Sequence, residues 1–249
     1  MNIVTIDPSI LNTGMTINGI AFTIASKSIA HTSKGVLKKW FERADYHCQI
    51  FPVDTSYNNE TSYSKLELAK LQTYHNIVNI IRALVSIHTE KYAQTLVVIE
   101  GYSYSSVAGP LIDLVTFSTL VRECLSNRPQ TKVVVLAPTS MKKLAAQVTY
   151  TPIEKGKKVK KIEYRNHEGV AGGSFTKHHI YQALIENDEL DCEWVKFLRT
   201  VSSEALDAKA IPKPLEDVNN AVMMQYIARK AYKDNNEDFM STVNALSEI

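Results

Sequence analysis

The sequence predicts an α/β fold in which a mixed five-stranded sheet is flanked by helices and carries an inserted basic β-hairpin or loop. Three observations carry this. The chain opens with three β-branched runs, at residues 2–6, 14–24 and 46–53, which can pair antiparallel. It then alternates helical and strand patterns, and the strand run at 95–99 is apolar without alternation, as strands covered on both faces are. Finally, 249 residues that are 45% hydrophobic and 22% charged can bury a large core, and no Pro/Gly/Ser-rich linker divides them. Residues 1–249 therefore read as one domain.

Each element follows from local pattern. The first strand, residues 2–6, ends at Asp7 and a loop containing Pro8, Asn12 and Gly14, and the second occupies 14–24. After the third strand, Leu66, Leu68, Leu71, Ile77, Ile80, Ile81, Leu84 and Ile87 recur at mostly helical spacing, so one long helix is expected over 62–92. Strand 95–99 runs into Glu100 and Gly101. A helix over 107–125, a strand over 132–136 and a short helix over 139–147 behind Pro138 continue the alternation. Further helices are expected near 174–189, 192–203 and 215–232, after a basic excursion at about 150–173. This order, β-β-β-α-β-α-β-α, suits a mixed sheet covered by helices.

Bulk properties exclude several classes. The longest apolar runs are interrupted by Asn79, Arg82 and Ser86, so no membrane span is expected. The opening residues enter a strand without a basic region, so no secretory signal is expected and a cytoplasmic location is. Cys48, Cys124 and Cys192 lack CxxC or Cys/His spacing, which points to buried reduced thiols rather than a zinc site or disulfides. Net charge is only +2, so any nucleic-acid partner must be met by local clusters. The densest is Lys155, Lys157, Lys158, Lys160, Lys161 and Arg165, opposed only by Glu163. Its loose alternation with Val159, Ile162 and Tyr164 suits a phosphate-binding ribbon. Solvated charge runs are common, and the residues alone leave that reading open.

Two carboxylates close strands. Asp7 ends the first and Glu100 the fourth; on neighbouring strands both would open into one crevice, where oxygen ligands hold hard cations such as Mg²⁺. Asp217 lies near the start of a helix, and Asn220, three residues on, shares its face. Each residue alone has an ordinary explanation, as a turn or a helix N-terminal acid. Taken in order they make a candidate metal site.

The ordered segments Ile3-Val-Thr-Ile-Asp7-Pro-Ser with Thr13-Gly14, Val97-Val-Ile-Glu100, and Asp217-Val-Asn-Asn220-Ala resemble the acidic motifs of RuvC-like Holliday-junction resolvases. The resemblance spans most of the chain. Ala137-Pro-Thr-Ser-Met-Lys-Lys143 and Gly172-Gly-Ser-Phe-Thr-Lys177 are similar to that family's proline-lysine and glycine-lysine stretches. The resemblance implies an RNase H-like core with Asp7, Glu100, Asp217 and Asn220 as metal ligands. It further implies Mg²⁺ as cofactor with Mn²⁺ able to substitute, two-metal phosphodiester hydrolysis, and a catalytic Lys177. Lys142, Lys143 and Lys177 would meet DNA phosphates, and Tyr102 and Tyr104 are stacking candidates. Branched DNA is the implied partner, and paired incision implies a homodimer. The helix over 107–125, with Leu111, Leu114, Val115, Phe117 and Leu120, is one candidate interface, and core packing is the other reading of that stripe.

Two departures stand out. The family pattern DxxD is here Asp217 followed by Asn220, and Glu216 lies off the shared face as a replacement. The basic excursion separates two motifs that normally lie closer. Two competing readings remain: a non-catalytic junction-binding protein with a degraded site, and an actin-like or sugar-kinase ATPase using the Asp7–Gly14 hairpin for phosphate. His178 and His179 read as helix-surface residues rather than ligands.

Overall fold

The computed structural model describes residues 1–31, 35–55, 60, 62–102, 108–155 and 161–234. In chain order the elements are β1 (Asn2–Asp7), β2 (Asn12–Ile17), β3 (Ile20–Ser26), α1 (Lys27–Ala30), α2 (Gly35–Ala44), β4 (Gln49–Val53), α3 (Tyr63–His88), β5 (Thr95–Glu100), α4 (Ala108–Ser126), β6 (Thr131–Leu136), α5 (Pro138–Thr149), β7 (Pro152–Lys155), β8 (Lys161–Tyr164), α6 (Lys177–Glu186), α7 (Glu193–Asp207) and α8 (Leu215–Asp234). A short 3-10 turn at Gly172–Ser174 precedes α6.

Six strands form one sheet in the order β4-β3-β2-β1-β5-β6. The β1-β2 and β2-β3 pairs are antiparallel, while β3-β4, β1-β5 and β5-β6 are parallel. This is the mixed, helix-flanked sheet expected from the sequence, with one strand more than the five foreseen. The extra strand arises because residues 14–24 are not one strand. Asn18 and Gly19 adopt φ of 52° and 101°, and Ile17 pairs directly with Ile20, so an Asn-Gly turn folds the run back on itself. The β-branched residues on either side had masked that turn signal. Helix α2, which was not foreseen, buries Trp40, Phe41 and Ala44.

Alternation along β1 and β5 divides the core. Val4, Ile6, Val97 and Ile99 point to the face covered by α3 and α4, where they meet Ile77, Ile81, Val85 and Phe117. Ile3, Leu96 and Val98 point to the other face, covered by α5 to α8. Phe117, offered by sequence as an interface residue, is fully buried with its ring 6.0 Å from Tyr74, so core packing explains that part of α4. Ile112, one helical turn earlier, is 65% exposed.

Helix α8 is the element that positions the site. It is buried continuously from Asp217 to Ala228, lying between the sheet and the other helices of its face. Hydrogen bonds fix its course: the Thr5 hydroxyl donates to the Ala221 carbonyl at 2.6 Å, and the Gln225 amide donates to the Ile3 carbonyl at 3.2 Å. The helix therefore runs antiparallel to β1, with its N-terminus at the carboxyl end of that strand. Its opposite side is held by Trp194, whose indole N–H donates to Asn219 at 2.9 Å. Glycine makes the close approach possible. A Cβ on Gly14 would fall 2.2 Å from the carbonyl oxygen of Asp217.

Candidate functional site

Strand register brings the first two carboxylates together. β1 and β5 pair in parallel from Asn2 opposite Thr95 to Ile6 opposite Ile99, so the next residues, Asp7 and Glu100, stand side by side. Both continue the face that carries Thr5 and Val98, and both therefore open toward α8. Asn220 bridges them. Its amide nitrogen donates to Asp7 Oδ2 at 3.0 Å and to Glu100 Oε2 at 3.2 Å.

Burial makes this pair electrostatically unsatisfied. Loss of water around the Asp7 carboxyl, followed by the charges of Glu100 and Asp217, holds its pKa well above the ordinary 3.8. Burial also raises Glu100, against the opposing effects of Asp7, Lys142, Lys177 and Asn220. Two acids that resist ionisation beside one amide are short of positive charge. A hard cation would supply that charge, held by the two carboxylates with the Asn220 amide turned over to present its oxygen.

Asp217 is placed differently from the expectation. It is buried over β2, and its Oδ2 accepts from Asn12 Nδ2 at 2.5 Å and from Lys213 Nζ at 2.8 Å. Asn12 is itself oriented by the Thr23 hydroxyl, which donates to its Oδ1 at 2.9 Å. Asp217 thus sits near enough to be felt electrostatically by Asp7 while its carboxylate is held by donors. Among the described residues, no group of three or more His, Cys, Asp or Glu is arranged to hold a metal ion. The arrangement does not fit the expected two-ion set of three carboxylates.

Lys142 and Lys177 lie on the Glu100 side of the site, where both favour its ionised form. Lys142 comes from α5. Lys177 opens α6 behind a capping box in which Thr176 and His179 exchange hydrogen bonds, so His179 caps the helix. His178 bonds the Ala208 carbonyl. Lys177 also forms an ion pair with Glu216, which removes Glu216 as a replacement ligand. The adjoining Gly172 rests directly on α5: a Cβ there would stand 2.5 Å from Ala146 Cβ and 3.1 Å from the Lys142 carbonyl. Contact between these two segments brings both lysines to the same carboxylate.

The basic excursion folds as the antiparallel ribbon β7-β8, with Lys155 opposite Lys161. Lys157, Lys158 and Lys160 lie outside the described residues, as does Tyr104. Lys143 is exposed on α5 and, with Gln147, Ile162, Tyr164 and Gly173, lines a cleft of about 400 Å³ beside the ribbon. Tyr102 follows the site strand and is partly exposed. The Arg165 guanidinium pairs with Glu163 at 2.8 Å and donates to the Gly169 carbonyl, which fastens the ribbon base while part of the side chain stays exposed.

Sequence reasoning missed Lys213, Asn12 and Thr23. In the sequence Asn12 falls in the loop after the first strand and Thr23 within a β-branched run, so neither signals a place in the site. Lys213 is four residues before Asp217, the spacing of a helical ion pair, and that spacing was the available signal. The Gly14 face of the β1-β2 hairpin, needed for phosphate on the ATPase reading, is covered by α8 main chain.

No protein-family model matches the chain, and no curated protein matches it. Among solved structures, the Thermus thermophilus RuvC structure is similar over 92% of this chain and 96% of that chain, at 11% identity and a TM-score of 0.44. That likeness is too distant to carry an argument about function. No helix among the described residues is long and apolar enough to cross a membrane.

Proposed function

We propose that this chain is a divalent-metal-dependent endonuclease that hydrolyses phosphodiester bonds in branched DNA, four-way junctions foremost, with Mg²⁺ as the natural ion and Mn²⁺ as a substitute. The observation that carries this reading is the pairing of Asp7 with Glu100 at adjacent strand ends, under the Asn220 amide and beside Lys142 and Lys177. A cation held there would polarise the phosphate and activate a water. Asp7 and Glu100 would hold it through carboxylate oxygens, and Asn220 would contribute its amide oxygen after a rotation of the side chain. Lys142 and Lys177 then bind the scissile phosphate and offset the charge that builds on it in the transition state.

The exposed Lys143 of α5 and the lysines of the basic excursion would add contacts to phosphates of the flanking duplex, where phosphate neutralisation sets affinity. Tyr102 and Tyr104 follow Glu100 directly and suit stacking on an unpaired base. Paired cutting of a four-way junction requires two sites, so a homodimer is part of this reading, as is a cytoplasmic location with access to DNA.

The test is incubation of labelled junction, fork, flap and linear duplexes with Mg²⁺ or Mn²⁺. Cleavage of the branched substrates is expected, and it should vanish on chelation and in Asp7→Asn and Glu100→Gln. Structure-selective binding without cleavage under either ion would replace this reading with a non-catalytic junction binder.

A further inference from the structure

The charge around Asp217 is already balanced by the chain itself. Asp7, Glu100 and Asp217 contribute three carboxylates, and the position where a fourth acid would stand holds Asn220. Lys213 Nζ lies 2.8 Å from Asp217 Oδ2 in an ion pair whose acid side chain is 6% exposed. The same oxygen takes the Asn12 amide, and Asn12 cannot easily turn away because Thr23 fixes its other end. Both Asn12 and Thr23 are fully buried strand residues, so this lock belongs to the sheet and not to a mobile surface. Lys213 meanwhile precedes α8 by two residues and remains 30% exposed along its side chain, with its head directed inward.

We infer that Lys213 is a built-in cation that occupies the place of a second metal ion, so that the centre works with one divalent ion. This inference rests on the nuclease reading above. One carboxylate is matched by the ammonium, and the remaining pair, Asp7 with Glu100, is matched by a single divalent charge. A second dication beside Asp217 would have to displace an ammonium and an amide donor together, and would meet Asn220 where it needs an anion. Lys213 is thus a positioning residue: it holds Asp217 in the field of Asp7 without giving up its oxygen to an ion.

Calorimetric titration with Mn²⁺, read alongside electron paramagnetic resonance, tests this on the full chain. The parent should bind one Mn²⁺ per chain with an isolated six-line spectrum. Lys213→Met should release Asp217 and raise the stoichiometry to two, with the coupled spectrum of ions about 3.5–4 Å apart. Lys213→Arg should remain at one. Lys213→Gln is the companion variant should Lys213→Met fail to fold, with the same expected gain. Two ions in the parent, or one ion in every folded variant that lacks the ammonium, would overturn the inference. A parent that cuts junctions with two bound ions loses only this inference, whereas a parent that neither binds Mn²⁺ nor cuts loses the nuclease reading as well.

Discussion

Gly14 and Asp217 touch through their main chains. A Cβ at Gly14 would lie 2.2 Å from the Asp217 carbonyl oxygen, 2.3 Å from its carbonyl carbon and 2.7 Å from the Val218 nitrogen. Main-chain atoms in a buried helix cannot swing aside as a side chain tip does, so Gly14→Ala must push α8 off the sheet. A loss of about 2–3 kcal/mol in unfolding free energy is expected, at the upper end for overpacking. Urea denaturation measures it, and a parental midpoint would show that α8 does not close on β2 as described.

Asp7 should make the metal-free protein lose stability as pH rises above the ordinary carboxyl range. Its folded pKa lies well above 3.8, so the folded state keeps a proton that the unfolded chain releases. Stability from this group is therefore full below the unfolded value and falls as pH rises toward the folded one. In chelator, Asp7→Asn should melt at a higher temperature than the parent at pH 7 and show a flatter pH profile, while losing cleavage. Equal melting of the two proteins across that range would refute the unsatisfied carboxyl.

Asn220→Asp restores an acid at the bridge between Asp7 and Glu100. The amide donor to both carboxylates is lost, and a third buried charge is added. The metal-free variant should melt below the parent, while Mn²⁺ affinity should rise about tenfold, equivalent to about 1.4 kcal/mol. Calorimetry reads the second change and thermal melting the first. Unchanged affinity would place Asn220 outside the ion's reach.

Lys142→Ala and Lys177→Ala each remove a cation that favours ionised Glu100. Loss of one preorganised charge at a phosphoryl site should lower the single-turnover cleavage rate about a hundredfold. The Lys177 side chain is 58% exposed, so folding should survive its loss. A rate within twofold of the parent in both variants would remove these lysines from the chemistry.

Much of this arrangement was legible in the sequence. Asp7 and Glu100 were visible as strand-ending acids, because a carboxylate after a β-branched or wholly apolar run has no simple structural use, and the parallel register then puts them together. The long helix α3 followed from helical periodicity, and the buried strand β5 from an unbroken apolar run. What stayed hidden depended on partners distant along the chain. The direction of the Asp217 carboxylate is decided by Asn12 and Thr23, more than 190 residues away, and spacing within α8 carries no trace of them. Arg165 looked like one more cation in a basic run, yet a glutamate two residues before it decides its role. Gly14 was read as part of a loop, while its use is to admit another main chain.

Helix α8 has no side turned to water from Asp217 to Ala228. The segment bearing two of the site residues is also the keel of the domain, so any substitution that retunes the chemistry is felt by the whole fold. The β7-β8 ribbon is the reverse, an outlying arm seated on the domain chiefly through Tyr164 and α5. It can lengthen, shorten or change charge while the keel stays still. On the nuclease reading proposed above, remodelling the arm would adapt the protein to a new DNA shape while the residues of the site stay where they are.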